Sequence, residues 1–229
     1  GPFPVTVVGD SAASVAALHT PLVRTDGFPP VPAPIPNDPA QPTAYLMSLV
    51  ATTAPARLTL GTTPFDNGTE VLFGANPLYT RQDFSADVVF AGYGLDAPEH
   101  GFDDYAGLDV RGKIVVALWG FPPGSPSEMA AHLNSDKGRM AQDRGALGLI
   151  TLSTPTLEKL VPWPSMAGRM DEPAYTWIGP DGRPYSAAPN LAFGGTLGPK
   201  AAAALFAGAP KSFDAILAEA SQQGGKPKG

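Results

Sequence analysis

The sequence predicts a β-rich α/β domain, and three features lead to that prediction. Glycine-bounded apolar runs such as "SADVVFAGYG" and "KIVVALWG" have the length and composition of strands that are buried on both faces. A helical pattern over 127–145 separates the second run from a third, "ALGLITL", in the order of a parallel crossover. Proline and glycine, with 27 and 26 residues, make up nearly a quarter of the 229-residue chain and require irregular connections.

The first part of the chain contains short strands and proline-rich connections. "PVTVV" predicts a strand over 4–8 that Gly9 ends. Residues 20–43 are so rich in proline that neither a helix nor a central strand is expected, and we interpret them as a stiff surface connection rather than a docking ligand. "ARLTLG" and "TEVLFG", with turn residues at 66–68 between them, predict a β-hairpin.

The second part alternates helices with strands. Within 127–145, Gly138 is expected to divide or weaken the helix. "NLAFGG" predicts a further strand, and "GPKAAAALFAG" predicts a short helix with Pro199 near its start and Gly208 just past its end. A final amphipathic helix is expected from Phe213, where apolar residues recur at i, i+3, i+4 and i+7.

Composition excludes several classes of function. The net charge of -6 and the scattered Lys and Arg residues provide no basic stripe for a phosphate backbone. The absence of cysteine excludes disulfides, thiolate zinc sites and cysteine nucleophiles. No run approaches the roughly 20 apolar residues of a membrane helix. We therefore expect no nucleic-acid partner and no membrane span.

The loop over 96–104 raises the question of a metal site. Its potential ligands are Asp96, Glu99, His100, Asp103 and Asp104. Calcium requires about six oxygen ligands, and the EF-hand places them at alternate residues with a glycine and a closing glutamate. This loop lacks that spacing. The histidines, His19, His100 and His132, lie in no HxD, HExxH or HxxE motif.

We interpret the acidic loop as structural. Asp103 and Asp104 are expected to accept hydrogen bonds from nearby backbone N–H groups, and Tyr93 and Tyr105 are expected to be half-buried. Positive φ angles are expected at Gly94 and Gly107. No GxSxG or dinucleotide-binding motif is present, and "DKGRMAQDRG" has the mixed charge of a solvated helix face.

Between residues 86 and 119 a series of motifs follows a fixed order: apolar strand, Gly-Tyr-Gly, Ala-Pro, Asp-Asp-Tyr, Asp-Val, Gly-Lys, apolar strand. The residues that carry it include Gly92, Tyr93, Gly94, Asp103, Asp104, Tyr105, Gly112 and Lys113. This series resembles the protease-associated domain in the version inserted into family-28 zinc aminopeptidases. The resemblance is clearest over 84–153 and faint over 154–195, and the proline-rich 20–43 departs from the family.

The resemblance implies one protease-associated domain over 1–229, with a loop-rich insertion at 154–189 and a flexible tail at 221–229. Its fold would be a barrel-like or swivelling mixed β-sheet flanked by helices. Its role would be that of a non-catalytic accessory domain beside a zinc-dependent peptidase domain of the same parent chain. This chain would then carry no catalytic residue, metal ligand or cofactor. The parent would be a secreted, periplasmic or cell-envelope protein of a bacterium that acts on peptide or protein substrates.

Aromatic residues in the loop over 162–185 suggest a contact surface. The candidates to face a partner or substrate are Trp163, Met166, Arg169, Tyr175 and Trp177. The alternative is that these side chains pack on their own domain. Two other functions also remain open: a self-sufficient metal-dependent hydrolase that uses residues 96–104, and a protein-interaction domain with no peptidase attached.

Overall fold

Strands and helices alternate along the part of the chain that the computed structural model describes. The described residues are 5–12, 47–52, 57–73, 76, 78, 81–169, 174–177 and 183–228. The strands are β1 (Val5–Ala12), β2 (Met47–Thr52), β3 (Arg57–Leu60), β4 (Thr63–Asp66), β5 (Val71–Leu72), β6 (Arg81–Ala86), β7 (Val88–Phe90), β8 (Asp96–Ala97), β9 (Phe102–Asp103), β10 (Ile114–Leu118), β11 (Gly148–Leu152), β12 (Ala174–Trp177) and β13 (Phe193–Leu197). The helices are α1 (Ser127–Ser135), α2 (Lys137–Asp143), α3 (Pro155–Leu160), α4 (Trp163–Ala167), α5 (Pro199–Leu205) and α6 (Phe213–Ala220), and a 3₁₀ turn covers Pro98–His100.

A five-stranded sheet in the order β5-β13-β11-β10-β7 contains the core. Its strands β7, β10, β11 and β13 are parallel, and β5 is antiparallel at one edge. All five residues of β10 are buried, as expected for a strand covered on both faces. The chain passes from β10 through α1 and α2 to the parallel strand β11, so the predicted crossover is confirmed.

A second, six-stranded sheet has the order β12-β2-β1-β3-β4, with β6 also paired to β1. β6 leads into β7 with one residue between them, so a single extended segment connects the two sheets. That residue is Asp87, and its carbonyl accepts a 2.9 Å hydrogen bond from the Ile114 N–H of the core sheet. The hydrogen bonds between β7 and β10 in the core sheet therefore begin at the residue that joins β6 to β7.

The helices cover the core sheet with the apolar faces that the sequence predicts. Phe213, Ile216 and Ala220 of α6 are buried. The ring of Phe206 stacks on Phe213 at a centroid distance of 5.7 Å and meets Phe90 of β7 edge-on at 5.3 Å. These aromatic contacts hold the C-terminal helices against β7. β7 is the first apolar strand of the motif series over 86–119.

Two local predictions are wrong. The break between α1 and α2 lies at Asp136 rather than Gly138, and the Asp136 N–H bonds back to the carbonyls of His132 and Leu133. Gly138 lies inside α2, and a Cβ at this position would make an ordinary van der Waals contact with the Ala188 Cβ at 3.5 Å.

The predicted hairpin is also wrong. β3 pairs with β4 through a tight turn at Gly61, whereas β5 pairs with β13 in the core sheet. The turn residue Asn67 explains the difference, because its side-chain amide bonds both the N–H and the carbonyl of Phe73, at 2.8 and 3.1 Å. These two bonds close a wider loop over residues 67–73. β5 lies within this loop and pairs in the core sheet.

The mixed α/β class is confirmed, but among the strands that the structure describes neither sheet closes into a barrel. β4 and β12 end one sheet, and β5 and β7 end the other. Within the described ranges, no helix is both long and apolar enough to span a bilayer. The proline-rich segment 20–43 lies outside the described residues.

Candidate functional site

The resemblance motif begins where β7 ends, with a buried loop over 91–95. The Asp104 carboxylate closes this loop, because its Oδ2 accepts hydrogen bonds from the N–H groups of Tyr93 (3.1 Å) and Leu95 (3.0 Å). The Asp104 N–H donates in return to the Leu95 carbonyl at 3.0 Å. The structural interpretation is therefore confirmed for Asp104. Asp103 is exposed and, within the described residues, its carboxylate accepts no hydrogen bond.

Two glycines of the motif have the predicted positive φ angles but different surroundings. Gly94 has φ 68°, and a Cβ at this position would lie 2.8 Å from the Ala117 Cβ of β10. Gly107 has φ 76°, with no atom within 4 Å of the equivalent position. Only Gly94 is therefore required both by its backbone conformation and by close packing.

Both motif tyrosines are buried, which corrects the expectation of half-buried rings. The Tyr93 hydroxyl donates to the Ala220 carbonyl at 3.0 Å, and burial together with the Asp104 charge raises the pKa of Tyr93 to about 12. The Tyr105 hydroxyl has no hydrogen-bond partner among the described residues, and burial raises its pKa well above the ordinary value. The two rings act as core residues rather than as acids or bases.

Lys137 is a buried cation that the sequence reasoning missed. Its ammonium donates to the carbonyls of Leu118 (2.8 Å) and Gly120 (2.6 Å) and lies 5.9 Å from the centre of the Tyr93 ring. Burial lowers the pKa of Lys137 to about 7, and the Asp104 charge opposes that shift. The spacing along the sequence could have shown that Lys137 is buried. Lys137, Met140 and Ala141 lie at i, i+3 and i+4, and together they form the buried face of α2.

Lys137 is expected to make stability depend on pH. Its folded-state pKa of about 7 lies below the ordinary 10.5, so the unfolded chain binds more protons between these values. The contribution of Lys137 to the free energy of unfolding therefore rises as pH increases from 7 to 10.5. Lys137→Met keeps an unbranched apolar stem and removes the titration.

Urea unfolding of both proteins from pH 6 to 10 measures this effect. The free energy of unfolding should rise less steeply with pH in Lys137→Met than in the wild type. Parallel pH profiles would show that Lys137 keeps its ordinary pKa in the folded chain.

The remaining acidic side chains of the loop do not converge. Asp96 is held by Arg144 in a two-point ion pair, with Nε–Oδ2 at 2.6 Å and Nη2–Oδ1 at 2.7 Å. Glu99 and His100 are exposed and lie 3.9 Å apart. In the part of the chain that the structure describes, no three His, Asp or Glu side chains form a group that could hold a metal ion. Two of the loop's carboxylates already have partners within the domain, because Asp96 pairs with the Arg144 guanidinium and Asp104 Oδ2 accepts from two backbone N–H groups.

Gly112 and Lys113 form the turn that leads into β10. Gly112 has φ 67°, and its N–H donates to the Gly145 carbonyl at 2.8 Å. The Lys113 ammonium bonds the backbone carbonyl and the carboxylate of Asp109 at 3.0 and 3.2 Å. This part of the motif ties the start of β10 to the end of α2.

Three of the five side chains expected to face a partner lie within the described part of the structure. The Trp163 indole N–H donates to the Thr69 carbonyl, and its backbone N–H donates to Glu158 Oε1 at 3.0 Å, so Trp163 packs on its own domain. Met166 is half-buried, and Arg169 is exposed beyond α4. Tyr175 and Trp177 belong to β12, but their side chains, like the whole of Met170, lie outside the description.

A groove of about 400 Å³ lies beside the acidic loop, and sequence reasoning did not find it. It is lined by His100 and Phe102 of that loop, by residues 122–126 with Met129, and by Gln223, Gly224 and Lys226 of the C-terminal tail. The tail, expected to be flexible, contacts the domain here. The Gly224 N–H donates to the Pro123 carbonyl at 3.0 Å, and the Lys226 ammonium donates to the Gly101 carbonyl at 2.8 Å.

Comparison with protein-family models, curated proteins and solved structures finds no significant match. Function is therefore inferred from the residues and their geometry. The resemblance to the protease-associated domain depends on sequence motifs, which are clearest over 84–153.

Proposed function

We propose that this chain is a protease-associated domain that serves as a non-catalytic accessory domain of a zinc-dependent aminopeptidase. It would shape access to the peptidase active site or hold peptide or protein substrate. One observation carries the proposal: two carboxylates of the acidic loop, Asp96 and Asp104, are bonded within the domain. Asp104 closes the buried loop over 91–95, and Asp96 binds Arg144. This is the arrangement of a supporting scaffold with a groove at its surface.

The parent protein and its compartment belong to the same proposal. The motif series over 86–119 resembles a domain found beside zinc peptidase domains, so the proposed partner is a peptidase domain of the same parent chain. Zinc is expected in that peptidase domain and not in this chain. A secreted, periplasmic or cell-envelope location in a bacterium follows from the same resemblance.

The two alternatives differ from this proposal in testable ways. A self-sufficient hydrolase would have to use residues 96–104, where Asp96 and Asp104 already have other partners. A protein-interaction domain with no peptidase could use the same groove. An HxD-bearing peptidase domain in the same polypeptide would favour the accessory role over that third possibility.

An aminopeptidase assay tests the catalytic part of the proposal. The purified chain, with zinc added, is expected to show no turnover of aminoacyl anilides above background. Turnover that co-purifies with the chain and is lost in Asp96→Asn would contradict the proposal. In the parent polypeptide, deletion of the domain should change kcat/KM for long peptides and leave that for a single aminoacyl anilide unchanged. Unchanged kinetics for both substrates would argue against an accessory role.

A further inference from the structure

The groove beside the acidic loop has a preformed apolar wall. Phe102 and Pro122 are buried at its base, Met129 is half-buried, and Pro123 and Pro126 are exposed along it. Proline has a fixed φ, so little backbone freedom remains to be lost when a ligand binds. This wall suits an apolar side chain of a ligand.

The groove wall is anchored from behind. The Gly120 N–H donates to Asn134 Oδ1 at 3.0 Å, and the Gly120 carbonyl accepts from the buried Lys137 ammonium at 2.6 Å. On the opposite side, the Gln223 side chain lies 3.2 Å from the position that a Cβ on Gly124 would take. The two sides of the groove are thus positioned before any ligand arrives.

The charge of the lining points to an anionic ligand. The whole chain has 21 Asp and Glu residues against 15 Lys and Arg, yet no carboxylate is among the described residues that line the groove. Its ionisable side chains are His100 and Lys226, with Glu99 beside His100 outside the lining. An ammonium has three N–H donors, and Lys226 uses one for Gly101, so two remain for a ligand.

We propose that the groove binds the carboxyl-terminal end of a short peptide, with its last apolar side chain against the proline wall and its carboxylate at Lys226 and His100. The volume of about 400 Å³ lies in the range of small-ligand sites, roughly 300–1,000 Å³, and is too small for a folded surface. The choice of the terminal carboxylate over an acidic side chain rests on the proposed function. An aminopeptidase acts at the amino end, so an accessory domain meets the residues on the carboxyl side.

Peptide binding to the purified chain tests this inference. The probe is the peptide Gly-Ala-Ala-Pro-Leu, labelled with fluorescein at its amino terminus and titrated by fluorescence anisotropy. Three forms are compared: the free carboxyl terminus, the carboxyl amide, and an amide in which the central alanine is glutamate. Loss of a charge-assisted hydrogen bond is expected to weaken binding of the amide on the order of tenfold.

Two variants and one control locate the site. Gln223→Glu keeps the shape of an exposed side chain and adds a negative charge to the groove. Lys226→Met removes the ammonium. Each variant should bind the free-carboxyl peptide about tenfold more weakly than the wild type. Lys159→Met removes an exposed lysine of α3 outside the groove and should leave binding unchanged. Unfolding curves of all three verify the fold, and Gln223→Glu replaces neither residue of the Lys226–Gly101 contact.

Several results would overturn the inference. They are the absence of binding to the free-carboxyl peptide, equal binding of its amide, and full binding by both Gln223→Glu and Lys226→Met. Equally tight binding of the glutamate-containing amide would assign the groove to acidic side chains instead. The assay contains no peptidase domain, so its failure leaves the accessory role open. If the peptide binds but the parent polypeptide has no peptidase domain, the accessory role fails and the binding site stands.

Discussion

Asp104→Ala is expected to lower the free energy of unfolding by about 2–6 kcal/mol. The N–H groups of Tyr93 and Leu95, which lie in a buried loop, would lose their acceptor, and each unsatisfied group costs about 1–3 kcal/mol. The substitution also removes the negative charge that interacts with the buried Lys137. Urea unfolding at pH 7, followed by circular dichroism, measures the change.

Asp103→Ala is the matched control for this prediction. Asp103 precedes Asp104 in the chain and is exposed, and its carboxylate has no hydrogen bond within the described part of the structure. Its replacement should change the free energy of unfolding by no more than about 0.5 kcal/mol. Equal losses in the two variants would mean that the loop does not depend on the Asp104 hydrogen bonds.

Gly94→Ala is the second substitution expected to have a large effect, with a loss of about 2–5 kcal/mol. An alanine at φ 68° is strained by about 1–2 kcal/mol. Its Cβ would also lie 2.8 Å from the Ala117 Cβ in the fully buried strand β10, and relief of such overpacking typically costs about 1–3 kcal/mol more.

Gly107→Ala separates these two contributions. Gly107 has nearly the same backbone conformation, φ 76°, but open space around the position of a Cβ. Gly107→Ala should lower the free energy of unfolding only by the backbone strain, about 1–2 kcal/mol. If the two alanine variants unfold at the same urea concentration, the close approach of the loop to β10 has no energetic consequence.

The sequence identified elements whose determinants are local. The apolar run of β10 and the spacing of Phe213, Ile216 and Ala220 each reflect burial of a regular face, and both were predicted correctly. That Asp104 bonds backbone N–H groups was also predicted correctly, although its partners Tyr93 and Leu95 lie 11 and 9 residues away rather than in an adjacent turn. The hairpin was not, since turn chemistry locates a turn without naming its strand partners.

The candidate site could be predicted only in part, because it depends on distant contacts. The partner of Asp96 is Arg144, 48 residues away, and Lys226 reaches Gly101 across 125 residues. No local pattern links such residues. Lys137 was missed for another reason: the mixed charges of its segment favoured a solvated face, although Lys137 lies on the buried one.

The central claim is that the acidic loop over 96–104 supports the fold and holds no metal. The most direct measurement is the zinc and calcium content of the purified chain by elemental analysis, before and after dialysis against a chelator. We expect much less than one metal ion per chain and the same melting temperature in both samples. A stoichiometric ion, whose removal lowers the melting temperature and whose binding is lost in Asp96→Asn or Asp103→Asn, would contradict it.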